Sequence, residues 1–362
     1  MGMGRADAAL HPEMTAPALS VLDLVPVHTG QTTAEAVAAS LRLVERADAL
    51  GYRRYWFAEH HNMPSVASTT PPVLIAAAIG RSQRMRLGSG GVMLPNHSPL
   101  IVAEQFAMLE AMAPGRIDVG LGRAPGSDPV ITQLLRRSGP TSDVEHFPEH
   151  VQDIAALASP EGWTVQFTSG GNYTVRATPA ASGTPEVWLL GSSDYAAQLA
   201  ASLGLPYVFA NHFAGTGLDR AMSLYRDGYR PSEKYPEPKT FLTVNVVAAP
   251  TAEEAEARAL PQLRRFASLR TNKPAIAQET VEQAAAAASA ENDPMMEQIV
   301  QGVRAGWFVG TGEMVAAQLR EFATKYDVDE IMLGVNAGHS EAEANDSAFG
   351  RIQTLELISA AL

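Results

Sequence analysis

The residues best suited to chemistry in this chain are Glu59, His60, His61 and Asn62, which follow directly on the apolar run Tyr55-Trp56-Phe57-Ala58. That run reads as a strand buried on both faces, the kind found in a parallel sheet. Residues just past the carboxyl end of such a strand line the ligand crevice of parallel α/β folds. A carboxylate and two imidazoles placed there offer proton transfer or hydrogen bonding near neutral pH. A lone histidine after a strand is more often a packed or surface residue. Four polar groups after so apolar a run favour a site. A metal fits poorly: adjacent histidines in an extended segment point to opposite sides, and no His-x-x-His or His-x-Asp spacing completes a shell.

Three other clusters carry chemical potential. Gly191-Ser192-Ser193 follows the apolar run 186–190 and opens a helix. Backbone N–H groups and hydroxyls at a helix N-terminus receive anions, phosphate above all, although a serine there also serves as a plain N-cap. Arg123, directly after the run 117–122, offers a charge-assisted partner for such an anion, or a surface ion pair. Ser89-Gly90-Gly91 interrupts a strand, which suggests close backbone approach by a flat ligand, a strained or bulged backbone, or tight packing. Asp23 with His28, Asn211-His212, Asn245 and Asn336 also fall at strand ends, and His97 after Pro95-Asn96 reads as a turn residue. No dinucleotide fingerprint, Walker loop or nucleophile elbow is present.

The elements that must position these groups alternate regularly. Strands are expected at 19–24, 55–58, 86–93, 117–122, 186–190, 206–210, 241–248 and 330–334. Helices are expected at 34–50, 71–78, 100–112, 147–157, 195–203, 218–229, from 252, 313–326 and 349–362. A small hairpin is expected around Gly170-Gly171-Asn172. Alternation of this kind signals βαβ units, and eight strands each followed by a helix, with no linker, point to one closed (β/α)8 barrel with insertions; an open doubly wound sheet is the alternative. Residues 1–18 read as a flexible lead-in and 19–362 as the barrel. The segment 268–304, with an alanine run and no clear core stripe, reads as a mobile lid or insertion.

Composition narrows the partners. The chain has 362 residues, 46% hydrophobic and 18% charged, with a formal charge of −12 and no cysteine. That charge disfavours nucleic acid and anionic membranes. The lack of cysteine excludes disulfides, thiolate metal sites and cysteine nucleophiles, and it fits a reducing compartment. No apolar run reaches the ~18 residues of a membrane span. The expected location is the cytoplasm.

Several of these segments together resemble the bacterial-luciferase-like flavin-dependent oxidoreductases. They are Tyr55 to Asn62, Gly88 to Pro99, Glu104-Gln105-Phe106, Pro114 to Gly126 and Trp188 to Ser193. The likeness is dense over 19–250 and looser over 308–362, and it is nearest to the group that includes antibiotic-pathway monooxygenases. It implies a commonly dimeric TIM barrel that uses reduced FMN, supplied by a separate reductase, and dioxygen to oxygenate a small organic substrate. By the same resemblance His60 matches the histidine beside the reactive flavin edge and Glu59 the neighbouring carboxylate. Gly90-Gly91, with Ser89 before it, matches the non-proline cis peptide that supports the ring. Arg123, Ser192 and Ser193, with Gly191, match the phosphate pocket. Two departures stand out: Gly122 replaces the reactive cysteine, and Gly191 the glutamate, of light-emitting luciferases, so bioluminescence is not expected. Hydride transfer with a deazaflavin, and flavin binding without turnover, are the alternatives. The substrate is not legible.

Overall fold

The computed structural model describes residues 16–127, 129–135, 144–180, 183–214, 216–271, 276–290 and 293–362. Nearly all of the expected lead-in lies outside these residues. Eight strands form the frame: β1 (Ala18–Asp23), β2 (Arg54–Phe57), β3 (Arg86–Ser89), β4 (Ile117–Gly122), β5 (Glu186–Gly191), β6 (Tyr207–Phe209), β7 (Thr240–Ala248) and β8 (Glu330–Val335). Each pairs in parallel with the next, from β1–β2 through β7–β8. The β8–β1 pairing, Leu22 opposite Gly334, closes the ring. The fold is therefore the expected closed barrel.

Helices flank the barrel: α1 (Thr33–Ala49), α2 (Pro71–Ile79), α3 (Pro99–Met112), α4 (Phe147–Leu157), α5 (Asp194–Leu203), α6 (Leu218–Asp227), α7 (Ala252–Arg270), α8 (Gly312–Tyr326) and α9 (Phe349–Ala361). Their starts follow the local sequence. Thr32 and Glu35 close a capping box at α1, and prolines occupy the first turns of α2 and α3, where no hydrogen bond is lost. The antiparallel hairpin Trp163–Gln166 with Asn172–Val175 is present as expected.

The excursion between β7 and β8 differs from the sequence reading. It holds two helices, Val281–Ala290 and Pro294–Arg304, and a short strand, Trp307–Gly310, that pairs with β7. Met296, Val300 and Val303 form a buried stripe packed with Phe266 of α7 and Trp307. Their spacing of four and three is helical. The adjoining alanine run, equally apolar on every side, obscures it in the sequence.

Two of the buried clusters frame the barrel itself. The larger lies between the strands and the helices. The smaller fills the barrel interior with Leu22, Trp56, Trp188, Val208, Phe241 and Met332. Beneath it, Arg54 is buried at the start of β2. Its Nε and Nη2 donate to the two oxygens of Glu330 at 2.6 and 3.0 Å, and its Nη1 donates to Asp118 at 2.9 Å. Arg86 donates to the other oxygen of Asp118 at 2.8 Å. The guanidinium carbon of Arg54 also lies 4.8 Å from the ring centre of Trp188 and 5.1 Å from that of Phe241. Burial alone would push the Arg54 pKa down, but Asp118 and Glu330 outweigh it and hold the charge.

Removing one member of a buried ion cluster strands the others, at a cost of about 3–5 kcal/mol. Arg54→Ala is expected to lower the unfolding free energy by that amount in urea titration. A loss under about 1 kcal/mol would show that Asp118 and Glu330 do not depend on it.

Candidate functional site

A cavity of about 610 Å³ opens at the carboxyl ends of β2 to β6. That is within the usual range for a small-molecule or cofactor site. Its wall includes His60 after β2, Gly90 and Gly91 after β3, Arg123 after β4, Gly191 to Ser193 after β5, and His212 after β6. The strand ends thus bring together seven of the nine residues singled out in the sequence. The other two, Glu59 and Ser89, stand behind the wall.

His60 and His61 point to opposite sides, as their adjacency in an extended segment requires. His60 faces the cavity and is buried, at 8% exposure. His61 turns back, its Nε2 2.9 Å from Glu59 Oε1. Asn62 then leaves the segment with φ 56°, a left-handed conformation that asparagine tolerates.

Glu59 is held by three partners. His61 and His97 reach Oε1 through their Nε2 atoms at 2.9 and 2.7 Å, and the Met93 N–H donates to Oε2 at 3.0 Å. Burial alone would raise its pKa, but these hydrogen bonds and the His97 charge bring it down to about 2. Glu59 therefore fixes the β2 and β3 loops against each other. His97, read from sequence as a turn residue, is one of its anchors.

Two further loop contacts complete this corner. The His61 N–H donates to the Gly126 carbonyl at 3.1 Å, and Gly126 has φ +63°. A Cβ at Gly126 would come within 2.9 Å of both the Glu59 carbonyl and Met93. Glycine is what lets the Arg123 loop lie against the His60 segment.

The Gly90–Gly91 peptide is cis. A Cβ on Gly90 would stand 2.6 Å from Leu22 and 3.2 Å from Trp56; on Gly91 it would stand 2.8 Å from the Gly120 carbonyl. The tight-packing alternative is thus realised, against the barrel interior. Its effect on the cavity is a floor of bare backbone. Ser89 sits beneath with no exposure and bridges to Gly120, donating to its carbonyl at 2.9 Å and accepting from its N–H at 3.0 Å. It locks β3 to β4.

At the other end, Ser193 occupies the N-cap position of α5, yet its side chain makes no capping hydrogen bond. Simple capping does not account for this hydroxyl. Ser192, Ser193 and Arg123 are exposed on the cavity wall, with the Arg123 guanidinium carbon 4.0 Å from the Tyr195 ring centre. A Cβ on Gly191 would lie 2.5 Å from Ala196, so a side chain there would disturb the α5 turn. Arginine, hydroxyls and a helix N-terminus form one donor set suited to an anion.

His212, seen in sequence only as a polar residue at a strand end, lies deep in the same wall. Its Nδ1 is 2.9 Å from Thr243 Oγ1, and that hydroxyl donates to the Phe209 carbonyl at 3.1 Å. Nδ1 therefore carries the proton. Burial, with a smaller contribution from His60, lowers the His212 pKa to about 3. His60 is likewise lowered by burial, partly offset by the Gly126 backbone and reinforced by the charge of Arg265. Both imidazoles are neutral at pH 7.

Comparison with known proteins agrees with this architecture. A family model described as luciferase-like monooxygenase matches residues 18–327. The chain belongs to that family. It is 41% identical over 315 residues to the uncharacterised protein YvbT of Bacillus subtilis (strain 168), covering 87% of this chain and 90% of the other. It is 45% identical over 253 residues to a luciferase-like monooxygenase of Escherichia coli (strain K12), covering 70% and 73%. An N-acetyl-S-alkylcysteine monooxygenase of Bacillus subtilis (strain 168) is 32% identical over 318 residues, covering 87% and 91%. Among solved structures, apo-MsnO8 superposes with a TM-score of 0.81 at 30% identity, covering 95% of this chain and 98% of that one. Two others share the fold alone. The oxygenating constituent of 3,6-diketocamphane monooxygenase, solved with FMN, has a TM-score of 0.66 at 16% identity and covers 95% and 97%. An F420-dependent secondary alcohol dehydrogenase has a TM-score of 0.62 at 17% identity and covers 96% and 100%.

The Glu59 cluster sets a pH dependence. Because its folded pKa of about 2 lies below the ordinary 4.5, ionised Glu59 contributes stability that is complete above pH 4.5 and fades as pH falls toward 2. Glu59→Gln is expected to be less stable than the parent at pH 7, with the gap narrowing at pH 3. Parallel urea titrations at the two values measure it, and a gap that stays constant would remove the ionised carboxylate from the account.

Proposed function

We propose that this protein is a flavin-dependent monooxygenase that uses reduced FMN, delivered by a separate reductase, and dioxygen to oxygenate a small organic substrate. One arrangement carries the reading: a bare-backbone floor at Gly90-Gly91 lies in the same cavity as His60 and as an anion-suited set of Arg123, Ser192 and Ser193. A flat ring ending in a phosphate has the shape and charge that such a wall accepts. The residues present fit the group. When bound, reduced FMN supplies two electrons and activates dioxygen.

The chain's own residues then divide the work. Arg123, Ser192 and Ser193 hold the phosphate, and the Gly90-Gly91 backbone supports the ring without a side chain in its way. Glu59, clamped by His61 and His97, holds the β2 loop so that His60 faces the cavity. His60, neutral at pH 7, acts as a hydrogen-bonding group at the reacting edge. Apolar residues of the wall, among them Phe147 and Leu190, limit water and so limit unproductive loss of activated oxygen.

We also infer that two copies pair through α2 and α3. Val73, Ile101, Met108 and Met112 expose 66%, 51%, 50% and 50% of their surface on these neighbouring helices, an apolar face that a second copy would cover.

The decisive experiment is an anaerobic titration with reduced FMN and, in parallel, reduced deazaflavin, followed by admission of air. Preferred binding of FMN with an oxygen-dependent absorbance transient supports the monooxygenase. Preference for deazaflavin without such a transient moves the chain to hydride transfer, and binding of neither defeats the cavity assignment. His60→Ala is expected to bind FMN within a few-fold of the parent but to release peroxide in place of oxygenated product. In the parent, coupling should hold across pH 7–8 and decline only below the ordinary histidine value of 6.5, where His60 gains its proton. Light scattering should give a dimer that Met108→Glu converts to a monomer; an unchanged mass would place the interface elsewhere.

A further inference from the structure

A second, smaller cavity of about 30 Å³ lies beside the first, over the carboxyl ends of β1, β7 and β8, and the two share His212. Its lining is polar: Asp23, Asn245, Gln262, Arg265 and Asn336. Most of these groups are already matched. Asp23 accepts from Tyr55 Oη at 2.5 Å and from Arg351 at 3.0 Å. Asn336 donates to Asn245 at 2.7 Å, and Asn245 donates to the His212 carbonyl at 3.0 Å.

Arg265 is the exception. Its Nε donates to Gln262 at 2.9 Å and its Nη1 reaches the Ser65 hydroxyl at 3.4 Å. Both acceptors are neutral, and no carboxylate pairs with it among the described residues. Neighbouring cations differ: Arg264 pairs with Glu279, Arg258 with Glu254 and Glu343, and Arg351 with Asp23. In a chain of net charge −12, a half-buried guanidinium with no carboxylate beside it is free to take an anion from outside the protein. Burial lowers its pKa, but only to about 10, so it remains charged at neutral pH. Its charge also reaches His60 across the cavity boundary.

We propose that Arg265 is the specificity-determining residue of a carboxylate subsite, so that the substrate is an organic acid anchored there while its reacting part extends past His212 toward His60. The proposal rests on the oxygenase reading of the larger cavity. A planar guanidinium presents parallel N–H donors that match a carboxylate. A volume of about 30 Å³ holds two or three waters or one carboxylate group. The single substrate anion would restore the charge balance that the protein leaves open.

The test uses FMN-saturated and FMN-free protein, so that the phosphate end of the larger cavity is filled in one arm. Hexanoate, benzoate and N-acetyl-S-methylcysteine are titrated calorimetrically, each against its neutral primary amide. At least one acid should bind the FMN-saturated protein ten or more times more tightly than its amide. Arg265→Gln should abolish that preference while leaving amide and FMN affinities within twofold, and Arg265→Lys should retain part of it. Circular dichroism and thermal melting confirm that both variants fold. Equal binding of acids and amides, binding of none of the acids, or a preference that survives Arg265→Gln overturns the proposal. Failure of FMN to bind, with the Arg265-dependent preference intact in FMN-free protein, would sink the flavin reading and leave the subsite standing.

Discussion

Arg54 is enclosed at the amino end of the barrel, and the rest of the interior is built on the charge it carries. The two carboxylates it hydrogen-bonds, Asp118 and Glu330, come from strands on opposite sides of β2 in the ring, and Glu186 lies 3.8 Å away as a third ion-pair partner. One guanidinium thereby ties β2, β4 and β8 together. Asp118 also accepts from the Trp56 indole N–H at 2.9 Å, and Glu186 from that of Trp188 at 3.2 Å. The ion cluster therefore sets the tilt of both indoles. With Phe241 they form an aromatic layer at ring separations of 4.9 to 5.8 Å. Gly90 rests on Trp56 and Leu22 with no space for a Cβ. Position is transmitted in this order from a buried charge, through an aromatic layer, to the cavity floor.

The two carboxylates most buried near the barrel mouth have opposite meanings from the one drawn by position alone. Glu59 stands in the most chemically suggestive stretch of the chain, yet its oxygens are filled by His61, His97 and Met93. Asp23, also at a strand end, is filled by Val25, Tyr55 and Arg351. Both are positioning groups. The two imidazoles that face the cavity, His60 and His212, are kept neutral by burial. A cavity whose facing imidazoles are neutral binds and orients through hydrogen bonds, and its fixed positive charge is confined to its ends.

What the sequence disclosed follows from period and position. The eight strands were legible because parallel strands buried on both faces read as apolar runs of distinct length. Seven of the nine site residues were legible because strand ends must converge at one mouth. His212 was legible only as one of several polar residues at strand ends, with no neighbouring motif to give it a role, and Arg265 was not legible at all. Arg265 lies inside α7 among Arg264, Phe266 and other ordinary helical residues, and nothing in the sequence shows which of two adjacent arginines finds a carboxylate. The strand Trp307–Gly310 was missed because four residues between two helices give no alternation to read. Long-range pairing, not local pattern, decides such cases.

The mouth of the barrel is thus divided by charge. Over β3 to β5 the cationic group, Arg123, is exposed and stacked on Tyr195, a place where an anion can arrive from solvent and leave again. Over β1, β7 and β8 the cationic group, Arg265, is half-buried, and its charge acts on His60. A ligand that neutralises Arg123 acts at a distance from the imidazole. One that neutralises Arg265 removes a positive charge that opposes protonation of His60. His212, which lines both cavities, is where the two adjoin.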